Sequence, residues 1–313
     1  MEILFTYDYG KDKMESIRQL GYDIIIKNEK DIVYHQEMEE VEVLVCYNPF
    51  ITLDIRKMKR LKWIQLSSIG IDQVPKEVVL ENGIVLTNNK GGYSVPMGEW
   101  IVLKILEIYK KSYKLYEQQG QKLWKMDTSL LELYRKRIGF IGTGSIATEA
   151  AKRLQGFEAH IIGVNTNGTK VQYFDKCYPI GELEEVLKQC DVVVLTIPYT
   201  EETHHLINET RLKSMKKSGV LINVSRGSIV DEEALIQHMK QGNLMAAALD
   251  VFEKEPLPQD SPLWAMENVI LTPHNSWISE MRNERRFRII YENMKRYIEG
   301  ELLFNQVDIE KGY

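Results

Sequence analysis

Short apolar runs alternate with longer polar segments along most of this chain. Ile3–Thr6, Asp23–Ile26, Val43–Cys46, Trp63–Leu66 and Ile84–Thr87 form a first set of expected strands, separated by helix-length segments such as IRKMKR and QVPKEVVLENG. An apolar-periodic stretch from Pro96 to Gln119 predicts one long helix, with Pro96 suited to its first turn and Gly120 to its end. After a polar linker the alternation resumes with Ile138–Ile141, His160–Val164, Val192–Ile197, Val220–Val224, Met245–Leu249 and Val269–Leu271. A charged helix over Ser279–Glu299 follows. Strand–helix alternation of this kind predicts parallel sheets covered by helices on both faces, hence an α/β fold. The two long helices bracket the second set of strands. That layout predicts two domains, residues 1–95 plus 281–313 and residues 96–280, with the second inserted into the first and the last helix returning to the first. The chain has no internal repeat and no low-complexity stretch.

The most informative run is RIGFIGTGSIATEAAKRL, Arg137 to Leu154. An apolar strand enters Gly142, Gly144 and Ala147 and continues as an amphipathic helix, the context that a G-x-G-x-x-(G/A) dinucleotide motif requires. Gly142 permits the tight turn, Gly144 lets the main chain approach a pyrophosphate, and Ala147 lets helix and strand pack closely. Free N–H groups near Ser145 and Ile146, with the helix dipole behind them, would face the phosphates. A plain β–α turn also uses glycines, but here both flanks fit a nucleotide site.

Composition narrows the partners. The chain has 313 residues, 44% hydrophobic and 27% charged, enough for two real cores. A net charge of −5 with no basic block argues against nucleic acid and anionic membranes. The N-terminal MEILFTYDYG reads as a strand and lacks a signal-peptide layout, and no apolar run approaches a membrane span. The three cysteines, Cys46, Cys177 and Cys190, lack metal-ligand spacing, so no metal site is expected. Unpaired thiols fit a reducing cytoplasm.

In doubly wound sheets ligands gather at the carboxyl ends of the strands. Three late strands each deliver one reactive side chain there: Arg226 after VLINVS, Glu255 after MAAALDVF and His274 after VILTP. Arginine offers a planar fork of donors for a carboxylate or a polarised carbonyl. Histidine can give or take a proton on the substrate oxygen, and a carboxylate bonded to it fixes the ring and favours the imidazolium. Singly, Arg226 reads equally as a turn-closing arginine, His274 as a core histidine and Glu255 as part of a solvated EKEP loop. Together, at three successive strand ends, they form a set suited to carbonyl chemistry.

With GTGSIA, NVSRGSIVDEEAL, ALDVFEKEPLP and LTPHNSW in this order, the chain resembles the D-isomer-specific 2-hydroxyacid dehydrogenases along almost its whole length. The resemblance implies a Rossmann-type dinucleotide-binding domain inserted into a flavodoxin-like substrate domain, with cofactor and substrate meeting in the cleft between them. It implies His274 as acid/base, Glu255 as its partner, and Arg226 as the holder of the substrate's carbonyl and carboxylate. SSIGID matches the segment whose backbone binds the substrate carboxylate, carried here to Ser68, Ile69 and Gly70. Asp250 would lie near the nicotinamide amide and Met97 near its ring, with Pro198 and Thr203 edging the cofactor. Trp277 and the loop from Asn48 to Phe50 shape either the pocket or the core. Arg282, Arg285 and Arg286 read as a solvated helix face, with an acidic substrate as the other reading. A homodimer through the helix over Pro96–Gln119 is implied as well.

One departure bears on the cofactor. NAD-specific members carry an acid at the end of the second strand; this chain has VNTNGTK, with Asn165 in that place and Thr166, Asn167 and Lys170 behind it. The absence of a repelling carboxylate tips the expectation to NADP over NAD, although no arginine is there to clamp a phosphate. The reading is a cytoplasmic oxidoreductase passing hydride between NAD(P)H and a small 2-oxo acid or D-2-hydroxy acid. Formate dehydrogenase, adenosylhomocysteine hydrolase, a serine-pathway phosphoglycerate dehydrogenase and a nucleotide-sensing corepressor are the alternatives on the same architecture.

Overall fold

The computed structural model describes residues 1–312. Its elements, in chain order, are β1 (Glu2–Phe5), α1 (Lys11–Gln19), β2 (Asp23–Ile26), β3 (Val41–Cys46), β4 (Trp63–Leu66), α2 (Lys76–Glu81) and β5 (Val85–Thr87). They continue with α3 (Ser94–Lys110), α4 (Ser112–Gly120), β6 (Arg137–Ile141), α5 (Ser145–Leu154), β7 (His160–Asn165), β8 (Lys176–Pro179) and α6 (Leu183–Gln189). The last are β9 (Val192–Leu195), α7 (Glu209–Ser214), β10 (Val220–Asn223), α8 (Glu232–Lys240), β11 (Ala246–Leu249), β12 (Val269–Leu271) and α9 (Arg282–Glu299). The chain divides into two compact units: Met1–Tyr93 together with the segment from Ser279 onward, and Ser94–Ile278.

The first unit is built on a parallel sheet in the order β2-β1-β3-β4-β5, the flavodoxin-like arrangement. Successive strand residues face opposite sides, so each face has its own core. Leu4, Leu44, Ile64, Leu66 and Leu86 fill one side. Ile3, Phe5, Val43, Val45 and Trp63 fill the other, where Phe287, Ile290 and Met294 of α9 complete the layer.

The second unit carries a parallel sheet in the order β12-β11-β10-β9-β6-β7-β8. Outward from β6 the strands run β7-β8 one way and β9-β10-β11 the other, the doubly wound Rossmann order with its switch point between β6 and β9. Helices α3 and α5 pack closely: a Cβ on Gly98 would sit 3.0 Å from the Ala150 amide nitrogen. No helix among the described residues is long and apolar enough to cross a membrane.

Three local expectations fail for physical reasons. The helix expected over Pro96–Gln119 is two helices, α3 and α4, because Lys111 turns left-handed (φ 49°). Its ammonium is held by Asp127 at 3.0 Å and by Ser129, both in the linker that folds back. The edge strand β8 was not expected, since KCYP has no apolar alternation and ends in a proline that only an edge tolerates. IRKMKR forms only one short 3-10 turn, Ile55–Lys57, rather than a helix.

The contact of α9 with the first sheet sets a stability expectation. Ile290→Ala, at a fully buried position, should cost about 2–5 kcal/mol in urea unfolding of the first unit, with little change in the unfolding of the second.

Candidate active site

The nucleotide motif folds as its glycines require. Gly142 has φ 97°, and a Cβ there would lie 2.8 Å from the Thr196 carbonyl oxygen and 2.6 Å from Ile197 Cγ2. Its amide donates to Val164 O at 2.9 Å and its carbonyl accepts from Thr196 Oγ1 at 2.8 Å, so the turn is clamped across the switch point. Gly144 is the opposite case: a Cβ there would meet nothing within 4 Å, leaving open space in front of α5. Gly144 is the N-cap of α5 and supplies no side-chain acceptor, so the amides of Ser145 and Ile146 keep free donors at the positive end of the helix. Ala147 is fully buried. Open space, unspent N–H groups and a helix dipole fit a bound pyrophosphate.

At the end of β7, Asn165 donates to Thr143 Oγ1 (3.1 Å) and Thr169 O (2.8 Å) and accepts from the Thr169 amide (3.0 Å). Its side chain therefore closes its own loop. Thr166, Asn167 and Lys170 are exposed, and no carboxylate stands between Asn165 and Lys170. After β9, Thr203 closes a capping box with Thr200 and donates to Pro198 O at 2.9 Å, which braces the turn bearing Pro198. Met97 lies buried in the first turns of α3.

Three loops of the second unit bring Arg226, Glu255 and His274 to the carboxyl ends of β10, β11 and β12. Asn223 Nδ2 holds the Arg226 carbonyl at 2.9 Å, and Arg226 Nη1 donates to Ser225 O at 2.7 Å. Next to it, Gly227 presses on the following strand's loop so closely that a Cβ would fall 1.8 Å from the Phe252 carbonyl carbon. Glu255 accepts from the Phe252 amide at 3.1 Å with one oxygen and lies 2.8 Å from His274 Nδ1 with the other. Burial pushes the Glu255 carboxyl up, but the His274 partner, the Phe252 N–H and the Arg226 charge outweigh it and hold the group below its ordinary range. His274 Nε2 has no partner among the described residues.

Asp250 plays a part that the sequence did not reveal. It is fully buried and accepts from the Thr272 hydroxyl, from the Asn275 amide at 2.8 Å and from the Ser276 amide at 2.9 Å. Its own carbonyl accepts from the His274 amide at 2.8 Å, and Trp277 Nε1 caps the His274 carbonyl at 2.9 Å. These bonds hold His274 at φ 51°, a left-handed conformation that is strained for a residue with a side chain. Asp250 is thus the anchor of the histidine loop. The signal that could have found it is an acid at a strand end followed some 20 residues later by T-P-H-N-S, and only the fold joins the two.

In the first unit, Ser67, Ser68, Ile69 and Gly70 follow β4. The amides of Ser68, Ile69 and Gly70 have no acceptor among the described residues, while Ser68 Oγ donates to Gly70 O at 2.8 Å and accepts from Gln73 Nε2 at 3.0 Å. Three successive unspent N–H groups form a nest for an anion. The arginines of α9 are not a solvated face: Arg282, Arg285 and Arg286 are all partly buried. Arg282 and Arg285 bond to Ser279, and Arg286 Nε donates to Tyr93 Oη at 2.8 Å.

Two outcomes follow from this geometry. Gly227→Ala should collapse turnover and lower the melting temperature, because the Arg226 and Glu255 loops cannot separate without moving both side chains; unaltered kinetics would contradict the contact. The lowered Glu255 pKa makes its ionised form stabilising. That contribution is complete above the ordinary value of 4.5 and is lost as pH falls below it through the folded value. Melting temperatures across roughly pH 3 to 6 should therefore fall less steeply in Glu255→Gln than in the wild type.

Comparison with known proteins adds an independent line. The family model described as D-isomer specific 2-hydroxyacid dehydrogenase, NAD binding domain, matches residues 102–276. A D-3-phosphoglycerate dehydrogenase of Methanocaldococcus jannaschii is 30% identical over 99% of this chain, which spans only 60% of that relative's length. A glyoxylate reductase of Korarchaeum cryptofilum is 30% identical, covering 98% of this chain and 90% of the relative. Among solved structures, a D-isomer specific 2-hydroxyacid dehydrogenase from Xanthobacter autotrophicus Py2 in complex with NADPH and MES superposes with a TM-score of 0.84 at 27% identity, covering 100% and 99% of the two chains. A D-lactate dehydrogenase from Aquifex aeolicus complexed with NAD and lactic acid gives 0.78 at 26% identity, covering 96% of each.

Proposed function

The chain belongs to the D-isomer specific 2-hydroxyacid dehydrogenase family, and from that premise we propose that it is an oxidoreductase interconverting a small 2-oxo acid and the D-2-hydroxy acid. The observation that carries this reading is the His274–Glu255 pair at 2.8 Å, with Nε2 of the ring open. A bound nicotinamide supplies or accepts the hydride at C2. In the reducing direction His274 gives its Nε2 proton to the carbonyl oxygen as C2 becomes tetrahedral, and in the oxidising direction it takes that proton back. Glu255 fixes the ring through Nδ1 and stabilises the imidazolium. Arg226 holds the carbonyl and the carboxylate through its planar fork. The amides of Ser68, Ile69 and Gly70 receive the carboxylate in the first unit.

Gly142, Gly144, Ser145 and Ile146 hold the cofactor's pyrophosphate, with Pro198, Thr203, Met97 and the Asp250 loop around the remainder. NADP is favoured over NAD. The loop after β7 presents Thr166, Asn167 and Lys170 and no carboxylate, so nothing there repels a 2′-phosphate. The glyoxylate reductase relative supports a small substrate, and the neighbours complexed with NADPH and with NAD support a nicotinamide cofactor of either kind. The free cysteines Cys46, Cys177 and Cys190 suit a reducing cytoplasm. A homodimer is supported by the apolar surface of α4 and the following linker, where Tyr116 is 69%, Trp124 99% and Met126 85% exposed.

The test is oxidation of NADPH and NADH by the pure protein against glyoxylate, hydroxypyruvate, pyruvate, phenylpyruvate and branched-chain 2-oxo acids, with the products resolved by hand. His274→Ala should lower kcat by about 10²–10⁴-fold while NADPH affinity stays within twofold by fluorescence titration. Arg226→Ala should raise KM for the oxo acid as well as lowering kcat. Full turnover in His274→Ala would overturn the assignment. Trp124→Glu should shift sedimentation from dimer to monomer; a wild-type monomer would refute the dimer.

A further inference from the structure

The Ser68–Gly70 amides are the front of three consecutive peptide groups, and the back of each is engaged. Ser67 O, on the same peptide as the Ser68 N–H, accepts from Tyr93 Oη. Ser68 O, on the peptide of the Ile69 N–H, accepts from the Asn89 amide at 2.8 Å. Ile69 O, on the peptide of the Gly70 N–H, accepts from Asn88 Nδ2 at 2.9 Å. The first of these bonds differs from the others because its donor is itself charged from behind. Arg286 Nε donates to Tyr93 Oη at 2.8 Å, and the guanidinium carbon lies 5.5 Å from the centroid of the Tyr93 ring. No carboxylate pairs with Arg286 among the described residues. A partly buried arginine is ordinarily neutralised by an acid; here the guanidinium faces the hydroxyls of Tyr9 and Tyr93, and its hydrogen bond goes to Tyr93.

Hydrogen bonds in a chain polarise one another. A donor on a peptide carbonyl makes the N–H of that same peptide a stronger donor. We propose that Tyr93 and Arg286 are positioning residues for the substrate carboxylate: Arg286 polarises the Tyr93 hydroxyl, Tyr93 polarises and pins the Ser67–Ser68 peptide, and the Ser68 N–H thereby binds the carboxylate more tightly. This rests on the reading of Ser68–Gly70 as the carboxylate site. It gives the loop a positive bias without placing a cation on the substrate, and it keeps the guanidinium two hydrogen bonds away from the peptide that meets the anion. Asn88 and Asn89 hold the other two peptides in register by neutral bonds alone.

The experiment compares wild type, Tyr93→Phe, Arg286→Met, Arg286→Lys and the Tyr93→Phe/Arg286→Met double variant. It measures KM and kcat for glyoxylate with NADPH, oxamate binding to the NADPH complex by calorimetry, and melting temperature. Tyr93→Phe should raise KM and weaken oxamate binding by about ten-fold, as expected for a bond that serves a charged acceptor, with a smaller effect on kcat. Arg286→Met should lose less, and Arg286→Lys should regain part of it. The double variant should match Tyr93→Phe alone, because Arg286 acts through that hydroxyl. Unchanged KM and oxamate affinity in Tyr93→Phe would overturn the proposal, and so would losses that multiply in the double variant. If the wild type reduces no 2-oxo acid, the functional reading falls, and the oxamate titrations decide this proposal separately: weaker binding in Tyr93→Phe supports it, and no binding to the wild type overturns it.

Discussion

The buried carboxylate of Asp250 is the interaction on which the path of the His274 loop depends. It has no exposed surface, so its oxygens have to be met by donors within the fold. All three donors come from Thr272, Asn275 and Ser276, on either side of His274. The need to satisfy one acid therefore dictates the path of the loop, and the path of the loop forces His274 into a left-handed backbone. A histidine in that conformation has its ring direction set by the main chain before any substrate arrives. Glu255 then needs to fix only the rotation of the ring.

Much of this was legible in the sequence and some of it was not, and the division is physical. Strand-length apolar runs and the Gly142–Ala147 spacing are local signals, and they place eleven of the strands and the nucleotide turn to within a residue or two. Arg226, Glu255 and His274 were found by reasoning about strand ends, which needs only the assumption of a parallel sheet. What escaped is what depends on partners distant in sequence. The break at Lys111 is made by Asp127 and Ser129, and the α3–α4 apolar pattern runs through it without a mark. Arg286 looks like its neighbours on a charged helix until Tyr93 is brought to it across 193 positions. Asp250 reads as one more acid at the end of a strand, since a sequence does not show where an amide points.

Both units carry a cluster of unspent, oriented backbone N–H groups. In the second, α5 begins at an uncapped glycine, and the helix supplies oriented N–H groups. In the first, three loop peptides supply them, aligned by bonds to their carbonyls rather than by a helix. Both clusters are made of main-chain donors alone. Backbone donors cost little entropy to hold in place, and being already oriented they need no rearrangement when the anion arrives.

The contact between Gly227 and Phe252 has a consequence for how this protein can change. With 1.8 Å between a hypothetical Cβ and the Phe252 carbonyl carbon, the distance between the Arg226 and Glu255 loops is set by main-chain van der Waals radii. No substitution at the contact can lengthen or shorten that spacing by degrees. The separation of the Arg226 and Glu255 loops is therefore a constant of the scaffold, beyond the reach of gradual drift, and any divergence around them has to be written in the neighbouring side chains.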